Sequence, residues 1–241
     1  MCGIVGYIGD KAPKNILYSG LAKLEYRGYD SAGIAVIENG SINLKRAVGK
    51  LHVLGDLLDI HEIKGNIGIG HTRWATHGKP TIENAHPHLD CNREIALVHN
   101  GIIENYREIK EELKKKGHKF LSETDTEVIV HLIEEYYTGD LVGAVKKALK
   151  YLDGAYAISV MSIKEQDKIV VARKGSPLVI GKGIGENLVA SDIPAVLEYT
   201  KEVIFLDDGE FAEIKKDSIR IFNLQGEEVK KEVKTIDWSL E

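Results

Sequence analysis

The chain has 241 residues, of which 43% are hydrophobic and 29% charged, and its formal net charge at pH 7 is -5. This length can bury one large core or two small ones. The acidic balance argues against a nucleic-acid partner, no apolar run reaches the about 18 residues of a membrane span, and two cysteines do not make a disulfide framework. We therefore expect a cytoplasmic globular protein without nucleic-acid or membrane partners.

The first part of the chain predicts alternating strands and a helix. A short apolar run over residues 3 to 8 is typical of a buried strand that begins next to Cys2. Leucines at spacings of four and three predict a helix over residues 14 to 26. Residues 32 to 37 and 42 to 48 follow as strands, and Asn-Gly between them favours a type I′ hairpin turn.

The middle of the chain contains two further strands and a polar loop. Residues 66 to 72 form a strand that leads into residues 73 to 80, a donor-rich loop because Gly and Pro interrupt any regular pattern. Residues 94 to 99 form another strand, which ends abruptly at Asn100-Gly101. A helix is predicted over residues 104 to 116.

The remainder predicts two helices and then a strand-rich half. Thr124 and Glu127 fit a capping box in front of an apolar helical stretch, and a second helix follows over residues 141 to 152. Beyond Gly154, short apolar runs predict strands at 155 to 161, 168 to 172, 178 to 180, 188 to 190, 203 to 206, 210 to 214 and 218 to 222. So many strands with helices inserted indicate an α+β fold in which two sheets pack on each other with helices outside.

Cys2 is the first candidate for chemistry. If Met1 is removed, this residue carries both a thiol, with an ordinary pKa of about 8.5, and an α-amine that can act as a base near neutral pH. An N-terminal nucleophile activated by its own amine is a known catalytic arrangement. The alternative is a small buried cysteine without a catalytic role.

Other candidates each have a structural alternative. Arg73 could grip a carboxylate with its planar fork, or it could be a surface residue of its loop. Asn100-Gly101 could form an oxyanion hole or an ordinary turn. Asp125 could bind an ammonium group or stabilise the start of a helix.

A metal site is a further candidate, because zinc-ligand residue types lie close together in the sequence: His86, His88, Asp90 and Cys91, with His71 and His77 nearby. Their spacing matches none of the usual zinc patterns, and Pro87 prevents a helical ligand face. The sequence contains no phosphate-binding loop either. We therefore expect neither a metal nor another cofactor.

Several stretches together resemble the glutaminase domain of the glucosamine-6-phosphate synthase family. These stretches are Met1-Cys-Gly-Ile-Val-Gly6, Glu25-Tyr-Arg-Gly-Tyr-Asp-Ser-Ala-Gly33, Gly70-His-Thr-Arg-Trp-Ala-Thr-His-Gly78, Val98-His-Asn-Gly-Ile-Ile-Glu-Asn105 and Ser122-Glu-Thr-Asp-Thr-Glu127. The resemblance implies a class II glutamine amidotransferase with the N-terminal-nucleophile hydrolase fold, a four-layer αββα sandwich. It also implies that the substrate is L-glutamine.

The resemblance assigns catalytic roles to four residues. It implies that Cys2 is the nucleophile and that its freed amine is the base. Asn100 and the Gly101 N–H would form the oxyanion hole, and Arg27 would orient the N-terminal residue.

The resemblance also assigns substrate contacts. Arg73, Thr76 and His77 would hold the α-carboxylate of glutamine, and Asp125 would hold its α-ammonium group. These two opposite charges would select an amino acid over a simple amide.

Further residues are assigned to closure of the site. Tyr29 would pack over the closed site, Trp74 would gate ammonia passage, and residues 73 to 81 would form the loop that closes on glutamine. His86 matches a histidine that lies near this loop in the family.

The family also predicts a domain division. Residues 1–226 would be the glutaminase domain, and residues 227–241 would lead to a sugar-phosphate isomerase domain in a homodimeric full-length protein. A purine-pathway amidotransferase, an asparagine synthetase and a non-catalytic glutamine-binding module remain as alternatives.

Overall fold

The computed structural model describes residues 2–237 of the chain, so the predicted removal of Met1 and the end of the C-terminal segment, residues 238–241, lie outside the described residues. The helices are α1 (Pro13–Lys23), α2 (Leu51–Asp59), α3 (Tyr106–Lys115), α4 (Glu127–Tyr136) and α5 (Leu141–Leu149). The strands are β1 (Gly3–Ile8), β2 (Ser31–Glu38), β3 (Ser41–Val48), β4 (Ile67–Arg73), β5 (His88–Leu89), β6 (Ile95–Asn100), β7 (Tyr156–Ser162), β8 (Glu165–Lys174), β9 (Val179–Lys182), β10 (Asn187–Ala190), β11 (Glu202–Phe205), β12 (Phe211–Lys215), β13 (Ser218–Phe222), β14 (Glu228–Val229) and β15 (Lys234–Thr235).

The strands form two antiparallel sheets. The first has eight strands in the order β15-β11-β9-β10-β1-β4-β2-β3, and the second has seven in the order β14-β13-β12-β8-β7-β6-β5. In the first sheet β1 lies between β10 and β4, with Gly3 opposite Thr72. Cys2 therefore precedes a central strand and lies at the end of the sheet, not at its lateral edge.

Three apolar cores separate four layers. Residues of both sheets, among them Ile4, Ile69, Val98 and Val171, fill the core between the sheets. Helices α1 and α2 cover the outer face of the first sheet, and α3, α4 and α5 cover the outer face of the second. The predicted αββα sandwich is confirmed. No helix among residues 2–237 is both long and apolar enough to cross a membrane.

The hairpin prediction is confirmed in detail. Asn39 and Gly40 have φ values of 51° and 76°, the positive values that a type I′ turn requires at both central residues. They connect β2 to β3 with Glu38 opposite Ser41. The helix predicted over residues 14 to 26 ends at Lys23, and a single 3₁₀ turn at Glu25–Arg27 follows it.

The capping-box prediction was wrong. Helix α4 begins at Glu127, so Thr124 precedes the cap position, and its hydroxyl lies 2.9 Å from Ser122 Oγ and 3.1 Å from His88 Nε2. The Glu127 carboxylate accepts hydrogen bonds from the N–H groups of Leu121 and Ser122 at 2.9 and 2.6 Å. Glu127 thus binds the backbone of the segment that precedes α4.

Two parts of the structure have no counterpart in the sequence predictions. Helix α2 was not predicted, although Leu51, Leu54 and Leu58 all face the core beneath the first sheet. The C-terminal segment adds β14 to the second sheet and β15 to the first.

Candidate active site

A cavity of about 310 Å³ opens where β1 begins and where β4 and β6 end. Of the predicted site residues, those that line it are Cys2, Arg27, Arg73, Trp74, Thr76, His86, Asn100, Gly101 and Asp125. A larger groove of about 570 Å³ lies among Lys182, Lys216 and Lys231, and its described lining contains neither a thiol nor an imidazole. The smaller cavity is therefore the candidate active site, since it brings the predicted residues together, and its volume also falls within the usual range for small-molecule pockets.

Cys2 presents its thiol to this cavity. The Trp74 backbone N–H donates a hydrogen bond to Cys2 Sγ at 3.1 Å, because Trp74 follows the end of β4, the neighbour of β1. Burial raises the pKa of the thiol, and the Trp74 hydrogen bond and the charge of Arg73 partly oppose that rise. A thiol with a raised pKa requires a nearby base if it is to attack as thiolate.

The orientation of the Asn100 amide follows from its neighbours. His71 Nε2 lies 3.0 Å from the His99 carbonyl, which can only accept, so this nitrogen carries a proton. The Asn100 atom 2.9 Å from the same nitrogen must then be the acceptor Oδ1. Consequently Asn100 Nδ2 faces the nucleophile residue, and it donates to the Cys2 carbonyl at 3.0 Å.

Gly101 follows Asn100 at a position that only glycine can occupy. Its φ is 114°, and a Cβ there would lie 2.2 Å from the Ala155 carbonyl oxygen. The chain therefore turns sharply at the end of β6, and the Gly101 backbone lines the cavity beside Asn100.

A group of buried histidines lies behind Asn100. His71 stacks on His86 with ring centroids 3.9 Å apart, and His86 Nδ1 accepts the His99 N–H at 3.3 Å. Burial lowers the pKa of His71 to about 3 and that of His86 well below its ordinary value. These imidazoles are neutral at physiological pH, and they hold the Asn100 side chain and the β6 backbone in place.

Asp125 lies on the opposite wall of the cavity, just before α4. One carboxylate oxygen accepts the Ile103 N–H at 2.8 Å, and the other lies 3.8 Å from His77 Nδ1. The side chain is 4% exposed. Asp125 does not cap the helix as a side-chain acceptor, because its bonded partner is on the segment after Gly101.

Arg73 lines the cavity, and its guanidinium is bonded to its own loop. Nη1 donates to the Lys79 carbonyl at 3.1 Å, and Nη2 donates to the carbonyls of His77 and Gly78. The expected grip on a free carboxylate is thus replaced, in this conformation, by a grip on residues 77 to 79. The same side chain is 3% exposed.

Loop 73 to 81 is fixed at further points that sequence reasoning missed. Asp30 Oδ2 accepts the Ala75 N–H at 2.8 Å, and Asn84 Nδ2 donates to the Lys79 carbonyl at 2.9 Å. Trp74 is 54% exposed. Asp30 is part of the Glu25–Gly33 motif and could have been singled out there, whereas Asn84 carried no sequence signal.

Arg27 and Tyr29 are bonded to residues outside the cavity lining. Arg27 Nη1 lies 3.4 Å from the Ser191 carbonyl, to which it donates, and 3.9 Å from Asp192. Tyr29 is not part of the described cavity lining; its hydroxyl donates to Glu25 and accepts the Leu51 N–H. Thr126 lines the cavity and contacts His99 Nδ1 at 2.8 Å, a role that its place in the sequence did not indicate.

Two packed antiparallel sheets between helical layers, with a cysteine at the start of a central strand, define an N-terminal-nucleophile hydrolase fold. Residues 52–234 match the model of the glutamine amidotransferase domain family. The chain belongs to this family and is a glutamine amidotransferase domain.

Relatives and solved structures agree with this assignment. The chain is 54% identical over 241 residues to the glutamine–fructose-6-phosphate aminotransferase (isomerizing) of Caldanaerobacter subterraneus subsp. tengcongensis and 55% identical over 240 residues to that of Aquifex aeolicus. In both comparisons the match covers 100% of this chain and 40% of the relative. The glutamine phosphoribosylpyrophosphate amidotransferase of B. subtilis superposes with a TM-score of 0.79 at 29% identity, over 92% of this chain and 49% of that one.

Proposed function

We propose that this chain hydrolyses the side-chain amide of L-glutamine to glutamate and ammonia, with Cys2 as the nucleophile. The observation that carries the proposal is that a thiol, an oriented amide donor and a buried carboxylate line one cavity: Cys2, Asn100 and Asp125. The thiol would attack the amide carbon, the amide donor would stabilise the oxyanion that forms, and the carboxylate would bind the α-ammonium group.

The first step is attack of Cys2 Sγ on the amide carbon. In the proposed route the α-amine of Cys2, exposed by removal of Met1, accepts the thiol proton directly or through a water. The Trp74 N–H, 3.1 Å from Sγ, favours the thiolate by donating to it. A base is needed because burial raises the pKa of this thiol.

The second step is stabilisation of the tetrahedral oxyanion. Asn100 Nδ2 points towards the Cys2 backbone, and its second N–H is assigned to the oxyanion together with the Gly101 N–H. The hydrogen bond from His71 to Asn100 Oδ1 prevents the side-chain amide of Asn100 from flipping. The Cys2 α-amine passes the proton it accepted to the leaving nitrogen, so that collapse of this intermediate releases ammonia and leaves a thioester. Water then hydrolyses the thioester to glutamate and restores the thiol.

Recognition of the amino-acid end is assigned to Asp125 and Arg73. The Ile103 N–H donates to Oδ2 of Asp125. The other carboxylate oxygen, Oδ1, is assigned to the α-ammonium group. Arg73 supplies positive charge for the α-carboxylate. Because its terminal nitrogens hold the carbonyls of residues 77 to 79, substrate contact through the fork requires loop 73 to 81 to rearrange.

Closure of this loop would complete the site. Thr76 lines the cavity, and His77 lies 3.8 Å from Asp125. Both are assigned to the α-carboxylate of the substrate because the family resemblance implies that role. Trp74 is assigned to ammonia passage, because it is both exposed and next to the nucleophile. His86 lines the cavity and packs against His71. Tyr29 is assigned to the site only after loop 73 to 81 has closed.

The substrate of the whole protein is inferred from its relatives. The chain spans 40% of the length of the curated relatives that it matches, and these are named glutamine–fructose-6-phosphate aminotransferases. We infer that residues 1–226 supply ammonia within a longer protein, and that residues 227–241 lead to a sugar-phosphate isomerase domain that uses it on fructose 6-phosphate. A homodimeric, cytoplasmic full-length enzyme remains part of this proposal.

The test is release of glutamate and ammonia by the purified chain, together with its intact mass. The active species is expected to lack Met1. Cys2→Ala should abolish turnover while isothermal calorimetry still detects glutamine binding, and an uncleavable N-terminal tag should do likewise. Substantial turnover by either of these two proteins would refute the mechanism.

A further inference from the structure

Four potential metal ligands converge on the outer side of the second sheet, away from the active-site cavity. Cys91 lies in the turn between β5 and β6, His118 follows α3, and His131 and Glu134 lie on α4. The ligand atoms all lie within 4.8 Å of one another. None of the four residues lines the candidate active site.

Five separations between ligand atoms, from 2.8 to 3.7 Å, lie around the edge lengths of a tetrahedral zinc site. Cys91 Sγ lies 3.7 Å from His118 Nδ1 and 3.5 Å from His131 Nδ1, and the two nitrogens are 3.1 Å apart. Glu134 Oε1 lies 2.8 Å from His118 Nδ1 and 3.4 Å from His131 Nδ1. Zinc bonds of about 2.3 Å to sulfur and about 2.0 to 2.1 Å to nitrogen or oxygen place tetrahedral ligand atoms about 3.3 to 3.6 Å apart.

Each imidazole is oriented by a carboxylate on its other nitrogen. His118 Nε2 lies 2.7 Å from Glu135, and His131 Nε2 lies 3.3 Å from the buried Glu127. Such carboxylate partners place the proton on Nε2 and leave the Nδ1 lone pair for a metal. Both Nδ1 atoms here point into the cluster.

Among residues 2–237, no lysine or arginine forms an ion pair with Glu134. Two imidazole lone pairs and the carboxylate oxygen Glu134 Oε1 face one another, and Oε1 is shielded from solvent with no hydrogen-bond donor aligned on it. Electron-rich atoms at these separations repel unless a proton or a metal cation lies between them. A divalent ion at their centre removes the repulsion and satisfies Oε1.

We propose that Cys91, His118, His131 and Glu134 bind one Zn²⁺ in a structural site. Binding would displace the thiol proton of Cys91 to solvent, so that one thiolate and one carboxylate neutralise the two charges of the ion while both histidines stay neutral. Four protein ligands close the coordination sphere, which is the pattern of structural and not catalytic zinc. The thiolate favours zinc over magnesium or calcium.

The ion would join three segments of the chain, two of which carry active-site residues. Cys91 precedes β6, which ends at Asn100, and His131 and Glu134 lie on the helix that follows Asp125. The Cys91 N–H already donates to Glu134 Oε2 at 3.0 Å. We therefore expect the metal to stabilise the fold around the site without contacting glutamine.

The experiment is metal analysis of the 241-residue chain, followed by cobalt substitution. The purified chain should retain about one equivalent of zinc per chain through gel filtration. After exchange, Co²⁺ should give the intense visible bands of tetrahedral cobalt and a thiolate-to-cobalt charge-transfer band. These spectra report the ligands directly and do not depend on enzymatic activity.

The two cysteines supply a matched pair of variants. Cys91→Ser should lose the charge-transfer band and bound zinc, whereas Cys2→Ser should keep both. Glu135→Gln should weaken zinc binding by about 10- to 100-fold, as expected for loss of an outer carboxylate, and Glu111→Gln, an exposed control on α3, should not. Zinc far below one equivalent in the unsubstituted chain supplied with zinc, or a cobalt spectrum unaffected by Cys91→Ser, would overturn the proposal.

Discussion

Asp125 offers the sharpest test of the proposed substrate site, because its two carboxylate oxygens have different tasks. One accepts the Ile103 N–H at 2.8 Å, and the other is assigned to the ammonium group of glutamine. Asp125→Asn can keep the first bond through its carbonyl oxygen while it loses the charge. A hydrogen bond to a charged group contributes about 1.5 to 3 kcal/mol, so kcat/KM for glutamine should fall by about 10- to 150-fold.

Asp125→Ala is the matched control for the structural task. It removes the same charge and also leaves the buried Ile103 N–H without its acceptor, which costs about 1 to 3 kcal/mol of folding free energy. For a domain of this size the melting temperature should then fall by about 2 to 12 °C. Asp125→Asn should melt close to the unsubstituted chain. Steady-state glutamate release and thermal unfolding measure the two effects, and an unchanged kcat/KM in Asp125→Asn would refute the ammonium assignment.

Three other predictions follow from the same structure. Asn100→Ala should lower kcat by about 10²- to 10³-fold, as expected for loss of one oxyanion donor. A change confined to KM in steady-state assays of glutamate release would contradict that role. Burial lowers the pKa of both His71 and His88 to about 3, below the unfolded value of about 6.5. The unfolded chain therefore binds more protons in acid, and the free energy of unfolding should fall by about 4 kcal/mol between about pH 7 and about pH 5; urea titrations that give equal stability at both pH values would exclude it. Incubated with glutamine and fructose 6-phosphate, the chain should release glutamate and leave the sugar phosphate unconsumed, whereas formation of glucosamine 6-phosphate would reveal a sugar site within these residues.

The sequence alone was sufficient where a local signal and the tertiary environment agree. Asn39-Gly40 defined a hairpin because few other residues adopt two successive positive φ values. The short apolar runs located the strands within a few residues, since a buried strand needs apolar side chains on both faces. Cys2, Asn100 and Asp125 could be nominated because each residue type offers a specific chemistry.

Local signals failed where distant parts of the chain compete for the same group. Thr124 and Glu127 fit a helix cap, yet Glu127 binds the preceding segment, and Thr124 turns to His88. The expectation of no metal considered only the neighbours of Cys91 in the sequence, and the proposed zinc site would overturn it. Its partners in the cluster, His118 and His131, come from elements that only the packed fold brings together.

The sequence by itself indicated the fold class and nominated residues for the chemistry, because apolar periodicity and side-chain type are local properties. The tertiary structure alone decided which atoms of those residues face the cavity. It orients the Asn100 amide through His71 and commits the Arg73 fork to the carbonyls of its own loop. Such choices depend on hydrogen-bond partners that lie on other elements, and their positions are fixed only when the two sheets pack.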